Sequence, residues 1–311
     1  MITFALRRLV HSILTLIGTT LLIFVLYHFV AAHGSTVIPS ITDTPAQIAA
    51  LEAQPAWLQY LRLLGQWATG NFGYFTTYNE PIANVVGNAI PETAVLVGGA
   101  LVLTFAVAVP VGLFQGLRHR RTSDRVLSFM GVLFFSAPLI LIGPLLTLWF
   151  TFDVPILPAT APPSGDFVTI FATFGTMVLP ILTLAIPSIG RFTLIIRSAA
   201  LDQVSSDYLT VARAKGASRH RIVWNHLMRN LSIPILNSVG VALPLLLSGA
   251  LVVEAMFNLP GLGALLWQAA TPKHLYYPVE VSIVLLTATF VVTVNFIIDL
   301  AMYFVDPRIS H

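Results

Sequence analysis

Candidates for bond-breaking chemistry are few in this chain of 311 residues. It has no cysteine, which excludes disulfides, Cys-ligated zinc and thiol catalysis. Its eight histidines show no HExxH or other paired-ligand spacing, so no metal site is expected. There is no GxxxxGK(S/T) phosphate loop, no Gly-x-Ser-x-Gly elbow and no paired-carboxylate arrangement, so neither nucleotide binding nor hydrolysis is expected of the chain itself. What the sequence concentrates instead is positive charge. Asp207 to Pro234 reads DYLTVARAKGASRHRIVWNHLMRNLSIP and holds Arg213, Lys215, Arg219, Arg221 and Arg229, with Asp207 as its only carboxylate.

That segment has helical grammar. Tyr208 to Lys215 are good helix formers, and Gly216 is a natural stop because it tolerates positive φ. Ser218 can cap a second helix, with Ile222, Val223, His226 and Leu227 at helical spacing on one face. The local expectation is helix, glycine turn, helix. A DNA-binding helix-turn-helix is disfavoured because apolar helices flank the segment on both sides and leave no free domain around it. Charge alone leaves open a passive basic loop that touches lipid headgroups.

The surrounding chain is built for a membrane. Hydrophobic residues make up 56% and charged residues 9%, against about 25% charged in a soluble domain. Apolar runs of spanning length cover about Leu9–Ala32, Thr93–Leu117, Val126–Phe152, Met177 to the basic segment, Leu231–Phe257 and Val279–Phe304. The first run is longer than a signal-peptide core, which favours a retained helix over a cleaved leader. Gly112 and Gly116 permit a close helix contact. Residues 33–92 form an extracytoplasmic region, where Ala56–Trp67 suits a short amphipathic helix and Trp57, Tyr60, Trp67, Tyr74 and Tyr78 suit a water–lipid interface. The expected fold is thus an all-α, polytopic transmembrane bundle of six spans: residues 1–32, then 33–92, then a five-span core over 93–311 that contains the basic segment 203–230. Of all Lys and Arg, only Arg62 and Lys273 fall opposite the other cations, so both termini and the basic segment are expected in the cytoplasm.

Ionisable groups inside spans cost roughly 2.5–3.5 kcal/mol at a helix centre, so each needs an account. Arg191 and Arg197 are expected to snorkel to the inner interface. Glu254, late in the fifth span, is either a polar group on a translocation path or gate, or a structural carboxylate bonded to backbone amides.

The pattern Asp207-Tyr208-x-x-x-Ala212-x-Ala214-Lys215-Gly216, followed by Asn225-His226-x-x-Arg229-Asn230 and Ile233-Pro234, resembles the coupling loop of bacterial ABC-importer permeases of the oligopeptide/dipeptide/nickel branch. The general motif of that family begins Glu-Ala-Ala, where this chain has Thr210-Val211-Ala212, a variation the peptide branch shares. Gly70-Asn71-Phe72-Gly73 and the string Glu254, Phe257, Pro260, Gly261, Leu262 and Gly263 are similar to further family elements, the latter to its fifth-helix terminus. The resemblance implies a permease subunit of an ATP-driven importer, multi-pass in the bacterial plasma membrane, moving peptides or similar small solutes by alternating access. It implies ATPase coupling by Asp207, Tyr208, Ala212, Ala214, Lys215, Gly216, Arg219, Arg221, His226, Arg229 and Asn230. It implies as partners a second permease of different sequence, two cytoplasmic ATPase subunits that carry ATP and Mg, and an extracytoplasmic solute-binding protein. Lipid is expected around the spans, no cofactor in this chain, and no nucleic acid. An ATP-independent secondary carrier is the alternative, and the chain shows no two-half internal similarity that would favour it.

The orientation can be tested in a chain that lacks cysteine. Single substitutions Ile48→Cys and Gly165→Cys are expected to react with a membrane-impermeant thiol reagent from outside, and Thr122→Cys and Ser218→Cys to be protected. External labelling of the residue 218 variant would overturn the orientation.

Overall fold

The computed structural model describes residues 2–30, 50–51, 53–75, 80–158, 166–206, 208–209, 216–269 and 277–305. It is a helical bundle. Helix α1 (Ile2–Val30) is followed by the amphipathic α2 (Ala56–Ala68), whose Leu63 and Trp67 join Ile23 and Phe24 of α1 in one apolar cluster. The Tyr60 hydroxyl lies 2.8 Å from Thr20 Oγ1 and fastens α2 to α1. A two-residue antiparallel pair, β1 (Tyr74–Phe75) and β2 (Glu80–Pro81), leads into α3 (Ile82–Leu117). This helix starts at Ile82, well before the expected Thr93, because Ile82, Val86 and Ala89 are buried in a cluster with Leu262, Leu265 and Val279. Its first turns therefore have something to pack on.

The third span, expected as one helix, is broken. It consists of α4 (Thr122–Ser136), α5 (Leu139–Thr147) and a π-helical stretch, Leu148–Asp153, with a 100° bend between α4 and the remainder. The cause is local. Pro138 is locked at φ −62° with ψ 132°, and the residue before it, Ala137, is extended as well. Two consecutive extended residues interrupt the hydrogen-bond ladder. After the short α6 (Phe167–Ala172), capped by Asp166 Oδ1 accepting from the Thr169 amide at 3.2 Å, come α7 (Gly175–Val204), α8 (Met228–Phe257), α9 (Leu262–Ala269) and α10 (Tyr277–Val305).

Contacts fix the direction of each helix. Gly99 of α3 faces Ile181, Gly112 faces Thr193 and Ile196, and Gly116 faces Ala200, so α3 and α7 run parallel. Asp124 of α4 meets Arg197 and Gly131 meets Leu194, so α4 runs against α7. Gly143 of α5 lies on Met256 and Phe257, at the far end of α8. The bent pair therefore crosses the bundle from one end to the other despite its break, and it counts as one span. Gly249 lies against Leu184 while Leu231 clusters with Ala200, so α8 is antiparallel to α7. Gly240 lies against Asn295 while Leu251 and Glu254 line one cavity with Ile283 and Thr287, so α10 is antiparallel to α8. Val281 of α10 clusters with Ile23 and Phe24 of α1. Six crossings result, and the start of α1, the end of α10, the α3–α4 turn and the segment before α8 share one end.

The core is centred on α7. Leu179, Leu184, Phe192 and Ile196 are buried with Leu96 and Ala108 of α3 and with Leu246 and Val253 of α8. At Gly112 an added Cβ would stand 2.8 Å from Thr193 O, and at Gly116 it would stand 2.6 Å from Ala200 Cβ. Both glycines exist to let two backbones touch. Gly116→Ala is expected to cost about 1–3 kcal/mol by overpacking, seen as a lowered thermal midpoint of the purified protein. Gly98→Ala, on the same helix but with nothing within 4 Å of the new Cβ, should leave the midpoint unchanged.

Candidate functional site

The basic segment sits where α7 leaves the bundle. Past Val204, the Tyr208 hydroxyl donates to Gln203 Oε1 at 3.1 Å and Leu209 is fully buried. Asp207, Ala212, Ala214 and Lys215 lie outside the described residues. Gly216 adopts φ +77°, and an added Cβ there would meet nothing within 4 Å. Its requirement for glycine is therefore conformational and not steric. Ser218 starts the next helix: its carbonyl accepts from the Ile222 amide at 2.9 Å, and its Oγ accepts a long bond from the Arg221 amide at 3.4 Å.

That helix is not a separate second element. The turn Arg219–Arg221 continues through a π-helical stretch, Ile222–Leu227, directly into α8. No glycine or proline intervenes before Pro234, and each buried residue along it has a partner. Ile222, Leu227 and Leu231 pack in one cluster with Leu209, with Leu113 of α3 and with Ala200 of α7. Ile222 and Leu227 are five residues apart and both buried, the spacing of a π-turn; Leu227 and Leu231 are four apart, the spacing of an α-turn. The opposite face, Arg221, Trp224, Asn225, Arg229 and Asn230, is exposed. Arg219 and His226 lie on the same helical stretch.

At the other end of α8, Glu254 is 0% exposed. Its Oε1 accepts from Thr93 Oγ1 at 2.7 Å, and its Oε2 accepts from the amides of Gly263 at 2.6 Å and Ala264 at 3.1 Å. Thr93 Oγ1 in turn accepts from the Leu262 amide at 2.9 Å. One carboxylate and one hydroxyl thus satisfy three amides in the first turn of α9 and join it to α3 and α8. The turn between is tight: Asn258 closes α8 in the left-handed region at φ 53°, and the Leu259 amide returns to Glu254 O at 2.9 Å. A Cβ at Gly261 would run into the Glu254 carboxylate, and one at Gly263 into Leu251. Phe257 is in the core and Pro260 is exposed in the turn.

The string chosen from sequence is therefore a spatial unit, with Glu254, Gly261 and Gly263 in direct contact. Thr93 completes it, and no local spacing pointed there, since it lies 161 residues from Glu254. Beside the carboxylate is a cavity of about 270 Å³, lined among others by Thr93, Ser248, Glu254, Leu266 and Thr287.

Because Thr93 both donates to Glu254 and accepts from Leu262, the two side chains act as one network. Thr93→Val and Glu254→Gln are each expected to lower stability by about 1–3 kcal/mol. The double variant should fall clearly short of the sum of the singles. Thermal midpoints of the four proteins check this, and strict additivity would refute the network.

Comparison with known proteins places the chain in the same setting. Residues 108–311 match the family described as binding-protein-dependent transport system inner membrane component. A Brucella ovis protein that carries a peptide-permease name is 31% identical, covering 100% of this chain and 99% of its own. The dipeptide transport system permease of Lactococcus lactis is 28% identical over 99% of both chains, and the oligopeptide transport system permease of Bacillus subtilis is 27% identical over 100% of both. With six apolar crossings and a full-length match to such permeases, the chain belongs to the inner-membrane components of binding-protein-dependent transport systems.

Proposed function

We propose that this chain is one permease subunit of an ATP-driven importer for peptides or similar small solutes, and that residues 203–230 couple it to the ATPase. The observation that carries the reading is the continuity between the exposed stretch after Gly216 and α8. A force applied to Arg221, Trp224, Asn225, Arg229 and Asn230 acts on a helix that is continuous through to Phe257. Its buried face, Ile222, Leu227 and Leu231, presses on α3 and α7 at the same time. The relatives' names, dipeptide, oligopeptide and glutathione transport permeases, support a peptide-like solute.

In this reading the inner end of the bundle, with Arg118, Arg120 and Arg121 in the α3–α4 turn and Arg125 in the first turn of α4, faces the cytoplasm together with both termini. Two ATPase subunits bind ATP and Mg there, a second permease of different sequence completes the path, and a solute-binding protein delivers cargo at the outer end. Alternating access needs ATP to favour one state differentially. Moving a two-state equilibrium from 1:99 to 99:1 takes about 5.5 kcal/mol, which the ATPase pair supplies through this contact. Glu254 and Thr93 hold the outer turn and α9 in place beside the path rather than binding solute themselves, since each carboxylate oxygen already accepts from a protein donor.

The turn geometry tests the coupling role. Gly216→Val forces a β-branched side chain into the left-handed region, which should tilt the segment while leaving membrane level unchanged. Uptake in membrane vesicles is expected to collapse, with the ATPase either lost in pull-down or hydrolysing without transport. Gly216→Asn, which tolerates that region, should keep most uptake. Full uptake and full ATPase association in the valine variant would refute the coupling assignment.

A further inference from the structure

Arg197 does not snorkel. It is 23% exposed and forms a two-pronged pair with Asp124, itself 2% exposed: Nε donates to Oδ1 at 2.6 Å and Nη2 donates to Oδ2 at 2.8 Å. The Asp124 carboxylate also accepts from the Arg120 amide at 3.0 Å, and His119 Nδ1 lies 3.5 Å from Oδ2. Arg120 holds φ 64° to present that amide. Behind the pair, the fully buried Gln115 of α3 donates to Ser128 Oγ at 3.1 Å and, by a longer bond, to Asp124 O at 3.4 Å. The Asp124 carboxylate therefore joins the α3–α4 turn and the start of α4 to the inner third of α7, and Gln115 ties the end of α3 to the same turn of α4.

Place and geometry together say what this is for. The next turn of α7 carries Ala200, which belongs to the cluster with Leu209, Ile222 and Leu227 of the coupling segment. Cohesion alone does not need the pair, because α4 and α7 already touch backbone to backbone at Gly131 and Gly190, and buried ion pairs add little stability over apolar packing of the same volume. What a bidentate guanidinium–carboxylate fork adds is fixed geometry: it allows one rotation and one axial register between the two helices.

We propose that Asp124 and Arg197 are positioning residues for transport. They lock the α3–α4 turn to α7 so that displacement of the coupling segment reaches α3, α4 and α7 as one block. This rests on the coupling reading above. Without the fork, α7 slides or twists against α4 and part of the displacement is lost, so ATP is spent with less solute moved.

The test uses the complete transporter in proteoliposomes, with its ATPase subunits and solute-binding protein, and reads solute taken up per ATP hydrolysed together with the thermal midpoint. Asp124→Asn is expected to lower uptake per ATP by about fivefold or more, with the ATPase still bound. The paired replacement Asp124→Leu with Arg197→Met keeps the volume without charge. A purely structural role predicts normal uptake per ATP for this pair; the positioning role predicts a near-normal thermal midpoint with uptake per ATP still low. Arg197→Lys, which keeps the charge but not the fork, should also lower the ratio and serves if the other variants do not fold. A wild-type ratio in Asp124→Asn, in the apolar pair or in Arg197→Lys overturns the proposal while leaving the coupling reading intact. Absence of ATP-dependent uptake by the unmodified transporter would instead remove the coupling reading, and this proposal with it.

Discussion

The close approach of α3 to α7 is the contact on which the remaining packing depends. In lipid there is no hydrophobic gain from joining two apolar helices, so association depends on how closely their surfaces fit. Gly112 and Gly116 supply that fit by letting α3 touch Thr193 O and Ala200 directly. With one side of α7 occupied at backbone distance, α4 takes a second side through Gly131 and Leu194, and α8 a third through Gly249 and Leu184. Helix α7 becomes the hub, and its C-terminal end leads into the basic segment.

Among the described residues, two polar networks tie helices together at opposite ends of the bundle. At one end Glu254 and Thr93 hold the first turn of α9 through hydrogen bonds. At the end that carries the α3–α4 turn, Asp124 and Arg197 form an ion pair. Between them the contacts of α7 are mostly apolar, which suits a unit that moves as a body. The ties set register where geometry matters, and dispersion packing fills the middle.

Much of this was legible in the sequence because spanning runs and glycine pairs have direct physical causes. Gly112 and Gly116, the amphipathic helix at Ala56 and the left-handed Gly216 follow from local residue type and spacing, whereas the string of Glu254, Gly261 and Gly263 stood out only through its family resemblance. The misses share a different cause. The 100° bend at Pro138 required knowing that α5 would find Met256 and Phe257 to pack on; a proline in a span is equally compatible with a mild kink. The earlier start of α3 depended on partners in α9 and α10. Arg197 read as a snorkelling side chain because its partner, Asp124, lies 73 residues away, hidden within a cluster of arginines.

The segment after Gly216 shows how the two kinds of information combine. Read at α-helical spacing, Ile222, Val223, His226 and Leu227 share one face, and the run looks like a second short helix after the glycine turn. The structure has a π-helical stretch there instead, and with its wider turn Ile222 and Leu227 both join Leu113 and Ala200 while the chain flows into α8. A π-turn costs hydrogen-bond geometry, and here the burial of Ile222 and Leu227 offsets that cost. The consequence is mechanical. Gly216 holds a positive φ, and from Arg219 on no glycine or proline interrupts the stretch before Pro234. Any load placed on the exposed arginine and tryptophan face is therefore borne by α8 itself and by the α3–α7 contact beside it.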